Sequence, residues 1–174
     1  MKIVNDPIRK GKFVNSYEVY GSVFHVAQTT EEIAAKIMSS DTGQFLKKGK
    51  KFISVTGKVY LQYPLGVTVE LDVKKIKTIG SLLWHIAMAY KKIYEEEEKT
   101  TKIKVIPIDE RGVCSNRNKT DGIYGIWGHD LIDLQFEKIT LYNEGYTFIN
   151  PNKREKRNFT KSGEPYIITV GIGS

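Results

Sequence analysis

The residues best equipped for chemistry lie in 123–149, IYGIWGHDLIDLQFEKITLYNEGYTFI, where Trp127, His129, Asp130 and Asp133 fall close together. An imidazole and two carboxylates are the donors of a general base or of a divalent-metal site. A metal-dependent hydrolase or nuclease centred on His129, Asp130 and Asp133 is therefore one reading. A His-Asp pair of the phosphohydrolase kind needs a second, upstream histidine and a distant aspartate on a helical scaffold. Only His25 and His85 are available, and the segment around His129 reads as turn and strand. In a strand, Asp130 and Asp133 face opposite ways. The competing structural reading has Asp130 capping a turn, His129 bonded to backbone and Trp127 in the core. It is preferred, and no catalytic residue, metal or cofactor is expected.

Binding is better represented than catalysis. In Tyr124-Gly125-Ile126-Trp127-Gly128, glycines beside aromatic rings let a flat ligand approach the backbone, so Tyr124 and Trp127 are candidate stacking residues. The densest basic cluster, Lys153, Arg154, Lys156 and Arg157, has Lys161 and Phe159 nearby and suits phosphate contact. Lys47, Lys48, Lys50 and Lys51 form a second, weaker patch. Cys114 has Arg111 and Arg117 near it in sequence, which lowers a thiol pKa, but a lone loop cysteine with no nearby histidine is weak grounds for a nucleophile.

Composition bounds the rest. The chain has 174 residues, 40% hydrophobic and 27% charged, as expected of one folded domain. With one cysteine there is no intramolecular disulfide and no cysteine-rich zinc site, which points to a reducing compartment. The N-terminus has no apolar signal region, and the longest apolar stretch, 81–90, is far shorter than a bilayer span of about 20 residues. An intracellular protein, cytoplasmic or nuclear and without a membrane, is expected. The net charge of +7 is uneven: residues 1–60 carry 10 basic and 5 acidic groups, 61–110 carry 8 of each, and 111–174 carry 9 and 7. Such a balance permits a polyanionic partner without requiring one.

The elements that must position these residues follow from periodicity. Segment 17–27 reads as a strand. Thr29 with Glu32 forms a capping box ahead of a short helix, and 45–51 is a lysine-rich connection. Segments 52–63 and 67–73 are strands joined by a Pro64-Leu65-Gly66 turn, with Val67, Val69, Leu71 and Val73 alternating with polar residues. The main helix covers 78–97, with Ile79, Leu82, Leu83, Ile86, Tyr90, Ile93 and Tyr94 on one stripe. Its acidic run 95–98 stands at the wrong end for the helix dipole and is expected to fray or to pair with Lys91, Lys92 and Lys99. Segment 102–108 reads as an edge strand. In 131–142 the alternation changes phase between Phe136 and Ile139, which predicts a bulge near Glu137-Lys138. Segments 146–149 and 166–172 are further strands, and 1–15 and 150–165 are loop-like. The fold class is α+β: one domain, a mainly antiparallel sheet, one long amphipathic helix and one short helix.

The run TIGSLLWHIAMAYKKIYEEEEK followed by GIYGIWGHDLIDLQFEKITLY resembles small proteins of large cytoplasmic DNA viruses, and the Lys- and Ile-rich usage fits that source. The resemblance covers about the middle third of the chain and implies an origin; it implies no site residue. The expectation is a non-enzymatic protein that binds a macromolecule through its basic loops. Nucleic acid is the first partner. A protein partner, homo-oligomer or virion scaffold is the alternative, with self-association through an exposed edge strand.

Overall fold

The alternation in 67–73 is realised as a hairpin. In the computed structural model, which describes residues 1–4, 13–19, 25–30, 32–33, 47–48, 51–52, 55–112, 116–143 and 166–173, strand β5 (Val55–Leu61) pairs antiparallel with β6 (Thr68–Ile76). The remaining described elements are β1 (Lys2–Val4), β2 (Phe13–Glu18), β3 (Lys47–Lys48), β4 (Lys51–Phe52), helix α1 (Ile79–Thr100), β7 (Gln135–Asn143) and β8 (Tyr166–Gly173). Six strands form one sheet in the order β1-β6-β5-β8-β7-β2, and β3 pairs with β4 separately. The β5–β8 pair is parallel and the other pairs of the large sheet are antiparallel. The chain is thus an α+β fold.

One side of the sheet carries Val59, Leu61, Val69, Val73, Ile139, Leu141 and Ile168. They form a single buried cluster with Leu82, Leu83, Ile86, Tyr90 and Ile93 of α1. The helical stripe packs as its spacing requires, and Thr78 caps it, its hydroxyl accepting from the Ser81 N–H at 3.1 Å. The expected bulge is present. Phe136 pairs with Ile172 and Lys138 with Gly171, so Glu137 is the extra residue. The bulge resets the phase, and Leu134, Phe136, Ile139 and Leu141 are all buried.

Other expectations are corrected. Segment 102–108 is not a strand; it is unpaired backbone leading into a 3-10 turn, Ile108–Glu110. Its N–H groups are bonded by the side chains of Asp121 and Asn118, which removes the need for a sheet partner. Residues 2–4 and 13–15, read as loop-like, belong to strands, and β2 begins at Phe13 where the sequence suggested 17. The hydroxyl that accepts from the Ile33 N–H belongs to Thr30, while that of Thr29 donates to the His25 carbonyl. The glycine of the Pro64-Leu65-Gly66 turn closes it without a positive φ. A Cβ there would stand 3.1 Å from the Gly125 carbonyl oxygen, so close backbone approach is what the position requires.

Gly57 is a second close approach, since a Cβ would stand 2.1 Å from the Tyr166 carbonyl oxygen across the parallel β5–β8 pair. Gly57→Ala is expected to lower stability by about 1–3 kcal/mol, read as a reduced urea midpoint.

Candidate functional site

Residues 101–112 and 116–133 form a layer of loops over the C-terminal half of α1, and its organiser is Glu97. This residue stands four positions after Ile93 and three after Tyr94, so it continues the inward stripe of the helix. Its side chain is fully buried. One carboxylate oxygen accepts from the Thr120 hydroxyl and from the Gly122 N–H at 3.0 Å; the other accepts from the N–H groups of Tyr124 at 2.8 Å and Gly125 at 3.2 Å. A carboxylate offers only acceptors, and all four neighbours are donors. Gly122 is required by this grip, because a Cβ there would collide with the Glu97 carboxylate at 2.5 Å. Gly125 takes φ +60°, which glycine alone adopts without strain. The acidic end of the helix therefore does not fray: Glu97 holds the loop, and Glu96 accepts from the Tyr124 hydroxyl and pairs with Lys92 at 3.6 Å.

Pinned there, four segments run side by side. Asn118 joins 104–106 through Ile106 N–H at 2.9 Å and the Lys104 carbonyl at 3.1 Å. Arg117 and Gly128 exchange backbone bonds, and Thr120 N–H donates to the Ile126 carbonyl. Trp127 N–H reaches the Pro64 carbonyl, and Gly66 N–H the Tyr124 carbonyl. At the start of the layer, the Asp121 carboxylate accepts from Thr101 Oγ1 at 2.7 Å and from the N–H groups of Lys102 at 2.9 Å and Ile103 at 3.0 Å. These donors, the Ile103 amide foremost, hold its pKa at about 2.

The proposed catalytic residues are engaged otherwise. Asp130 accepts from Arg111 and from Arg117 Nη1 at 3.1 Å, and its N–H donates to Asp133 Oδ2 at 2.9 Å across the 3-10 turn Leu131–Asp133. Burial alone would raise the Asp130 carboxyl, but the hydrogen bonds and charges of the two arginines outweigh it and hold it below its ordinary value. A carboxylate so held is a poor general base near neutrality. The His129 carbonyl accepts from the Tyr94 hydroxyl at 2.9 Å, and its ring lies 5.7 Å from that of Tyr63. Among the described residues no group of three His, Cys, Asp or Glu side chains is placed to hold a metal ion.

The binding candidates divide. Tyr124 is buried with its hydroxyl on Glu96, and burial with that bond pushes the phenol up to about 12, so it is no stacking platform. Trp127, read as a core residue in the structural account, is 44% exposed and meets Tyr63 edge-on at 5.6 Å. Lys153, Arg154, Lys156, Arg157 and Cys114 lie outside the described residues. From sequence, Asn118 and Asp121 had no structural role, Arg117 stood only as a neighbour of Cys114, and Glu97 only as part of the acidic run 95–98; the signal for Glu97 was its place on the apolar stripe. No family model, no curated protein and no solved structure matches this chain.

Two outcomes test the grip. Glu97→Gln turns an amide NH2 onto donors and is expected to cost about 2–3 kcal/mol, with faster hydrogen exchange at Gly122, Tyr124 and Gly125. The folded pKa of Asp121 is depressed, so its staple is complete above about pH 4. It is lost as pH falls through about 2. NMR titration of the Asp121 carboxyl is expected to give that low midpoint, and Thr101→Val to raise it.

Proposed function

We propose that this chain is a non-catalytic binding protein whose first partner is nucleic acid, contacted through the loop layer around Trp127 together with the basic groups of the chain. The observation that supports this reading is a juxtaposition. An exposed indole stands on 126–128, the segment bonded to it carries the exposed Lys119, and the segment beyond that carries the exposed Lys104 and Lys102. A ring that stacks on bases beside cations that meet phosphates is the combination used for single strands. The backbone beneath is already bonded to Glu97, Asn118 and Asp121 side chains, so contact costs little ordering entropy.

A specific observation favours a second reading, a protein partner or self-association as a scaffold component. Ile103, Ile106, Ile108, Ile123 and Ile132 are all exposed, Ile132 at 58%. Exposed aliphatics that share a patch are a feature of protein interfaces. An intracellular location and an origin in a large cytoplasmic DNA virus belong to the same proposal. The single cysteine supports the first, and the lysine- and isoleucine-rich composition the second.

Fluorescence polarisation with single-stranded RNA and short duplex DNA across a salt series tests the reading. Trp127→Ala is expected to weaken single-strand binding about 5- to 100-fold, the worth of one stacked base, with little change in melting temperature. Substituting Lys153, Arg154, Lys156 and Arg157 together by alanine is expected to flatten the slope of log K against log salt, by about 0.7 per lost phosphate contact on a single strand. Binding that disappears by about 100 mM salt, or that ignores both variants, would sink the nucleic-acid reading. Concentration-dependent mass in native mass spectrometry would then favour self-association.

A further inference from the structure

Arg117 has more donors than the protein satisfies. It is 5% exposed, its Nη1 donates to Asp130 at 3.1 Å, and its guanidinium carbon lies 5.2 Å from the centre of the Tyr94 ring. Nε and Nη2 are buried without a hydrogen-bond partner. These two N–H groups share one edge of the planar guanidinium and point in parallel, the arrangement that receives two oxygens of a single oxyanion. The nearby carboxylates are committed elsewhere: Asp130 is divided between Arg111 and Arg117, and Asp133 accepts from the Asp130 N–H. Leaving charged N–H groups buried and unpaired is costly, and native proteins keep such groups where they have a use.

We propose that this edge of Arg117 is a receptor for a small phosphate-class oxyanion, either inorganic phosphate or the terminal phosphomonoester of a ligand. The anion accepts from Nε and Nη2 together, with the Arg111 guanidinium on the far side of Asp130 adding a second positive charge. Gly128, bonded through its backbone to Arg117, has nothing within 4 Å of where a side chain would stand. A guanidinium this enclosed admits an ion or the end of a ligand and excludes the middle of a polymer strand. The site is therefore separate from the stacking surface at Trp127 and does not rest on the nucleic-acid reading.

Thermal unfolding in inorganic phosphate against chloride at matched ionic strength tests it. A melting-temperature rise of about 3–6 °C is expected at tenfold excess over Kd. The rise should vanish in Arg117→Lys, which keeps a cation but has no fork, and survive in Arg111→Lys. A rise that persists in Arg117→Lys overturns the proposal, because surface lysines then hold the ion. Since Arg117→Lys is in the core and its folding is at stake, the wild-type protein supplies an independent reading. Phosphate is expected to shift the Arg117 Nε–H resonance in a 1H–15N spectrum, and no shift together with no thermal rise overturns the proposal in favour of buried water. A short oligonucleotide with a 5′-phosphate, compared with its 5′-hydroxyl form, separates the sources. Competition by the 5′-phosphate alone assigns a ligand terminus, and competition by neither assigns the free ion. Equal competition by both overturns the site. Binding of the 5′-hydroxyl strand itself, followed at Trp127, reports on the nucleic-acid reading whichever result is obtained.

Discussion

The whole loop layer depends on one buried carboxylate. Glu97 stands near the C-terminus of α1, where the helix dipole disfavours negative charge, and it is fully enclosed. What makes this tolerable is the convergence of one hydroxyl and three backbone N–H groups on its two oxygens. Charged hydrogen bonds of this kind are the stronger ones, and losing any donor leaves the charge under-solvated. The dependence is mutual. The helix needs the loop to satisfy Glu97, and the N–H groups of Gly122, Tyr124 and Gly125 need Glu97 as their acceptor.

The same solution recurs around the layer. Asp121 gathers the N–H groups that follow the helix, Asn118 bonds both the N–H and the carbonyl of a neighbouring segment, and Asp130 joins Arg111 to Arg117. Side chains do here what a sheet ladder does elsewhere, which lets irregular backbone hold a definite shape. That shape presents Trp127 and several isoleucines outward on a supported base.

Patterns with a local cause were readable in advance. The α1 stripe, the β5–β6 hairpin and the bulge at Glu137 all express side-chain periodicity, and the structure has each of them. The misreadings share a cause as well. Segment 102–108 has the β-branched content of a strand, but whether it pairs depends on Asp121 and Asn118, which come later in the chain. Trp127 was open to two readings, core or stacking surface, and its exposure on 126–128 excludes the first. Tyr124 looked like a platform because glycines flank it, and those glycines serve the Glu97 grip instead.

From sequence alone came the α+β class, the long helix and its inward face, the central hairpin and the phase shift in β7. Each rests on residues within a few positions of one another, where backbone geometry dictates which side chains share a face. Only the tertiary structure decided that an acidic residue in an acidic run is the keystone, that Asp130 belongs to arginines, and that one edge of Arg117 is left unpaired. Those outcomes depend on which donors meet which acceptors across separations of 13 to 28 positions. Nothing in a one-dimensional pattern specifies that meeting, because a buried charge is tolerable only once the groups that solvate it have been brought together.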